Sequence, residues 1–178
     1  VADERNLVVL VDEKDRELGT MDKLLAHQNG GRLHRAISIF IFNSRGETML
    51  QQRALTKYHT PGRWTNTCCS HPFPNESVID AAHRRLAEEM GFDCELEEKF
   101  AFTYLAEVGN GLTESEYDHV LFGTYDGRPR LNPEEAMAFR WIGMDALNAE
   151  IRKSPESFTP WLRVIADRVT AYRKGEKL

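Results

Sequence analysis

The chain has 178 residues, 41% of them hydrophobic, which is enough to bury a sizeable core and reads most simply as one domain over residues 1–178. Three cysteines, two of them adjacent, do not make a disulfide framework, no N-terminal segment resembles a signal peptide, and no apolar run is long enough to cross a bilayer. These features point to a soluble, reduced, cytoplasmic protein, and a formal charge of -5 argues against general nucleic-acid binding.

Leu7 to Val11 reads as a short strand that ends in the polar turn Asp12-Glu13-Lys14-Asp15. Asp22 to Gln28 has helical character, carries Lys23 and His27, and stops before Gly30-Gly31. His34 to Phe42 is rich in β-branched and aromatic residues, and with Asn43 to Glu47 as a turn and Thr48 to Arg53 as a return it reads as a strand hairpin. Alternation puts His34 on one face with Ala36, Ser38 and Phe40. Between Arg45 and Arg63 the charge reverses locally: Arg45, Arg53, Lys57 and Arg63 face a single acid, Glu47, with His59 nearby. Such a patch attracts an anion, although a solvated surface loop has the same composition.

Trp64 to Pro72, WTNTCCSHP, is the stretch in which chemistry is expected. If it is extended, Cys69 and His71 share one side and Cys68 takes the other. The pattern alone leaves open a plainer reading, two core cysteines and a loop imidazole. A helix is predicted from Glu76 to Met90, with Asn75 as N-cap, Gly91 just past its end, and Val78, Ala82, Leu86 and Met90 as the buried stripe. Arg85 and Glu89 lie four apart on a neighbouring face, as an ordinary ion pair would.

Further strands are expected at Lys99 to Glu107 and Glu116 to Tyr125, joined by a loop over Gly109 to Thr113, and at Ala136 to Ile142. Glu114 and Glu116 at a strand start face one way, which is unfavourable unless a cation or a proton lies between them. Helices are predicted from Met144 to Arg152 and from Pro160 to Lys174, with Trp161 in the first turn of the second. There is no internal repeat and no linker, and the mix of hairpins and helices gives an α/β or α+β layered fold.

Ser70, Glu76 and the run Arg84-Arg85-Leu86-Ala87-Glu88-Glu89-Met90-Gly91-Phe92 resemble a degenerate Nudix box, in which Ser70 stands for the glycine and Arg85 for the first glutamate of the metal-holding core. Taken with WTNTCCSHP, AHQNGGRLHRA, QQRALTKYHTPG, Glu114-Ser115-Glu116 and FTPW, the chain closely resembles type I isopentenyl diphosphate isomerases from about Asp12 to its last helix. That resemblance implies a Nudix-like α/β/α sandwich with a mixed sheet and added N- and C-terminal elements. It also implies interconversion of isopentenyl and dimethylallyl diphosphate.

By the same resemblance, a divalent cation (Mn, Mg or Zn) is expected on His27, His34, His71, Glu114 and Glu116, a nitrogen and oxygen donor set that suits Zn or Mn. Metal-bound Glu116 is expected as the acid, Cys69 as its counterpart on the opposite face of the hydrocarbon, and Tyr104 as the residue that places the proton on Glu116. Trp161 would shelter a carbocation. Lys23, Arg53, Lys57 and Arg85 would bind the diphosphate, with a Mg ion held by Glu89, while Arg84 either contacts phosphate or faces solvent. A monomer or weak homodimer acting on a small molecule, away from membranes, is expected. Two other readings stay open, a Nudix diphosphate hydrolase and a metal-binding module without catalysis.

Overall fold

The computed structural model describes residues 4–176. After a short 3-10 turn at Glu4–Asn6, β1 (Leu7–Val11) and β2 (Glu17–Asp22) form an antiparallel pair. Asp12 closes their connection by accepting hydrogen bonds from the backbone amides of Lys14 and Arg16. β2 had no signal in the sequence because it is an edge strand with little apolar burial, and Leu18 on it faces solvent. Asp22 then caps α1 (Lys23–Ala26), accepting from the amides of Leu24 and Leu25.

The centre of the sheet is β3 (His34–Phe42). Its expected hairpin with β4 (Thr48–Arg53) exists only at the turn, where Phe42 pairs with Thr48. Beyond that point Thr67 stands between the strands: its hydroxyl accepts from the amide of Ile41 at 3.0 Å and donates to the carbonyl of Met49 at 2.6 Å. β4 turns to β5 (Trp64–Thr65) and β9 (Ala136–Ile142), and β3 takes β6 (Cys68–Ser70) as an antiparallel neighbour. The opened hairpin is therefore the slot into which the cysteine stretch is threaded.

On its other side β3 pairs in parallel with β8 (Leu112–Thr124), His34 opposite Glu116. β8 forms a long hairpin with β7 (Leu96–Gly109) through Asn110 and Gly111, both at positive φ, the conformation that two-residue hairpin turns require. Both strands run further than expected, so Glu114 and Glu116 lie inside a strand, and Tyr104 sits directly across from Glu116.

Alternation on β3 splits the core into two layers. Ile37, Ile39 and Ile41, with Met49 and Cys68, pack against Ala82, Leu86 and Met90 of α2 (Val78–Met90). Phe40 and Phe42 face the other way, onto Leu147 of α3 (Met144–Lys153) and Leu162, Ile165 and Val169 of α4 (Pro160–Arg173). The result is the α/β/α sandwich with a mixed sheet. α2 starts later than expected: Ser77, not Asn75, is the N-cap, its hydroxyl accepting from the amide of Asp80 at 3.1 Å, while Asn75 sits at a φ of 65° in the preceding turn. Gly91 ends the helix in the left-handed conformation, as expected.

A candidate active site with a metal-competent cluster

Four elements converge at the end of β3. α1 delivers His27 at its C-cap, β3 begins with His34, the chain leaving β6 carries His71, and β8 supplies Glu116. Their nearest ligand atoms all lie within 4.8 Å of one another. The Nδ1 of His27 donates to the carbonyl of Lys23 at 2.6 Å and that of His34 to the carbonyl of Arg32 at 2.7 Å, so both rings turn Nε2 toward the cluster. His34 Nε2 lies 3.2 Å from His71 Nε2 and 3.5 Å from Glu116 Oε1, and His27 Nε2 is buried with no hydrogen-bond partner among the described residues. Burial pushes the pKa of His27 down and that of His71 down to about 3, which keeps them in the neutral form that binds metal.

Lone pairs packed this closely repel unless a cation or proton lies among them, so the donors fit a divalent ion. Glu114 adjoins the cluster through Tyr104, whose hydroxyl lies 2.5 Å from Glu116 Oε2 and 3.0 Å from Glu114 Oε2. Burial and the charge of Glu116 push the Glu114 carboxyl well above the carboxylate range. Burial also disfavours ionised Glu116, but the imidazoles of His34 and His71 beside it outweigh burial and hold Glu116 well below that range.

The expectation of a Glu116 and Cys69 acid–base pair is corrected here. The metal-competent group is three histidines and Glu116 and contains no cysteine. Cys69 is engaged elsewhere: its thiol donates to Asn66 Oδ1 at 2.9 Å and lies 3.8 Å from Ser38 Oγ. Asn66 is locked in that orientation because its amide donates to the carbonyls of Ile39 and Cys68. Burial, reinforced by Asp118, pushes the Cys69 thiol well above its ordinary pKa. The predicted alternation does hold, since Cys68 is buried in the α2 layer and Cys69 packs with Tyr104 and Trp161 on the other side.

The same cavity is lined by Lys23, Arg53, Lys57 and Arg85, together with Glu89 and Glu135. Arg53 lies over the ring of Trp161, 5.2 Å from its centroid, and donates to the carbonyl of His59. Burial opposes the charge of Arg85, but its ion pairs with Glu89, Glu88 and Glu135 raise its pKa above the ordinary value. Arg53 and Arg85 each keep a buried Nε–H with no acceptor among the described residues. Arg84 does not line the cavity: it donates to Glu76 at 2.7 and 2.8 Å and stacks on Phe73.

Sequence reasoning missed Asp118, which is fully buried and accepts from Ser38 Oγ at 2.7 Å. Its signal was available, because Glu114, Glu116 and Asp118 follow the two-residue period of one strand face. His59, noted in the sequence only as a neighbour of the basic patch, and Glu135, which nothing in its local sequence marked, also line the cavity.

The NUDIX domain family model matches residues 32–162. The chain is 54% identical to "Isopentenyl-diphosphate Delta-isomerase 2" of Aromatoleum aromaticum over 166 residues, 93% of this chain and 87% of the relative. It is 48% identical to "Isopentenyl-diphosphate Delta-isomerase" of Pectobacterium atrosepticum, over 96% of this chain and 94% of the relative. Among solved structures, DR0079 from Deinococcus radiodurans superposes with a TM-score of 0.77 at 20% identity, covering 91% of this chain and 98% of that one, a likeness of fold.

Proposed function

We propose that this chain, which belongs to the NUDIX domain family and within it to the isopentenyl-diphosphate Delta-isomerases, interconverts isopentenyl and dimethylallyl diphosphate. The observation that supports this reading is that one cavity holds two chemically distinct ends, a cluster of lysines and arginines and a metal-competent histidine cluster, with Tyr104 and Trp161 in the same lining.

Moving a double bond by one carbon adds one proton and removes another while the diphosphate stays attached. Lys23, Arg53, Lys57 and Arg85, which line the cavity, anchor the diphosphate through their charged head groups. Binding energy from that remote end orients the hydrocarbon tail. Glu89 faces the same end and is assigned a magnesium ion that comes with the diphosphate. A divalent cation held by His27, His34, His71 and Glu116, with Glu114 alongside, supplies fixed positive charge that shifts the proton affinity of neighbouring carboxyl and phenol groups.

The hydroxyl of Tyr104 joins Glu114 to Glu116, and this carboxyl–phenol chain is where we place the protons exchanged with the substrate. Cys69 is assigned to the wall beside the tail. Trp161, 3% exposed, excludes water, and its ring face stabilises a desolvated positive charge by ~2 kcal/mol.

We also read residues 1–178 as one domain, cytoplasmic, monomeric or weakly dimeric, and binding neither nucleic acid nor membrane; the acidic net charge supports this, and no helix among the described residues is long and apolar enough to cross a membrane. The test is incubation with isopentenyl diphosphate in deuterated water, with and without a chelator. Deuterium in dimethylallyl diphosphate, no phosphate release and loss of turnover with the chelator are expected. Phosphate or diphosphate release without isomerised product would replace this reading with hydrolysis.

A further inference from the structure

Glu135 is an acid of the cavity that neither the metal-competent cluster nor the Tyr104 chain uses. It lies just before β9, and its one carboxylate spans two cations from different elements: Oε2 accepts from Lys57 Nζ at 2.7 Å, and Oε1 accepts from Arg85 Nη2 at 3.2 Å. Its backbone is tied to the same two places. The carbonyl of Glu135 accepts from the amide of Ala54 at 2.9 Å, next to the end of β4, and its amide donates to Asn132, whose own amide donates to Glu89 in the last turn of α2. The carboxylate is held against the cations from both sides, with its side chain 20% exposed.

That position matters for charge. Lys23, Arg53, Lys57 and Arg85 share the cavity with the carboxylates of Glu89 and Glu135, a surplus of two positive charges among these lining groups that the ion pair of Arg85 with Glu88 reduces further. A bare diphosphate brings more negative charge than that surplus and must approach two carboxylates. A diphosphate that carries magnesium brings less charge and presents a cation to those carboxylates. Resting on the diphosphate reading of this site, we propose that Glu135 is a specificity-determining residue, which presets Lys57 and Arg85 as one pair and biases the pocket toward magnesium-bearing over bare diphosphate.

The test is calorimetric titration of the full chain with inorganic diphosphate, with and without magnesium, for the wild type, Glu135→Gln and Glu135→Asp, with thermal unfolding run in parallel. The wild type should bind the magnesium form about tenfold more tightly. Glu135→Gln should narrow that preference to about threefold or less by tightening the bare form, and Glu135→Asp, which keeps the charge, should retain the preference. An undiminished preference in Glu135→Gln, or equal weakening of both forms, overturns the proposal. If Glu135→Gln does not fold, the wild type still decides: equal affinity for the two forms overturns this inference alone, and binding of neither form removes the diphosphate reading beneath it.

Discussion

Lowering the pH from 7 to 5 should cost the protein stability at His59, and a His59→Gln variant isolates how much. His59 is 7% exposed, its Nδ1 is 3.1 Å from Thr60 Oγ1, and its ring meets the edges or faces of Tyr58 and Trp161 at centroid distances of 4.4 and 5.7 Å. Burial, and then the charges of Arg53 and Lys23, lower its pKa from 6.5 to about 3. Between those values the unfolded chain binds a proton that the folded chain refuses. The neutral ring therefore contributes stability above pH 6.5, and that contribution is lost as the pH falls from 6.5 toward 3. At pH 5 the loss is about 2 kcal/mol, since the unfolded imidazole is by then about 1.5 units below its own pKa. For a chain of this length that is about 4 to 8 °C in Tm. Tm would be measured at both pH values in chelator for wild type and variant. His27 and His71, also depressed, titrate in both proteins and cancel in the comparison. An acid-induced drop of the same size in His59→Gln would refute the reasoning.

Adding zinc or manganese to chelated protein at about a hundredfold over its Kd should raise stability by about 2.7 kcal/mol, read as a Tm increase that His27→Ala loses. Ser77→Ala should cost about 1 kcal/mol in denaturant unfolding because it removes the cap on the Asp80 amide, whereas Asn75→Ala should leave that cap intact. Gly91→Ala should cost more than about 1 kcal/mol, because a Cβ there would meet the carbonyl of Arg130 at 2.3 Å with the backbone at a φ of +68°. A variant as stable as wild type would show that the connection after α2 yields.

What was legible in the sequence was mostly local. The period of α2, its terminal glycine and the opposite facing of Cys68 and Cys69 follow from spacing alone. The splitting of the β3–β4 hairpin did not, because it depends on the Thr67 hydroxyl bonding two strands at once, a tertiary fact with no local signature. The three histidines and Glu116 come from four separated segments, and only the resemblance to known chains joined them before the fold did. The expected pairing of Glu116 with Cys69 had no support in spacing, and the hydrogen bonds of Cys69 to Asn66 and of Glu116 to His71 and Tyr104 replaced it. Asp118 was missed although it continues the strand face of Glu114 and Glu116, because its full burial depends on packing that spacing does not show.

The parallel ladder that sets His34 opposite Glu116 has a consequence for how the protein is made. A ribosome that has already released β3, with its imidazole in place, must synthesise everything through β8 before the acidic partner exists. A slip of one residue between these strands would then turn Glu116 toward the α2 layer. No nascent fragment that ends before β8 can carry the completed ion cage, so loading follows translation, and premature chain termination yields imidazoles that lack their carboxylate.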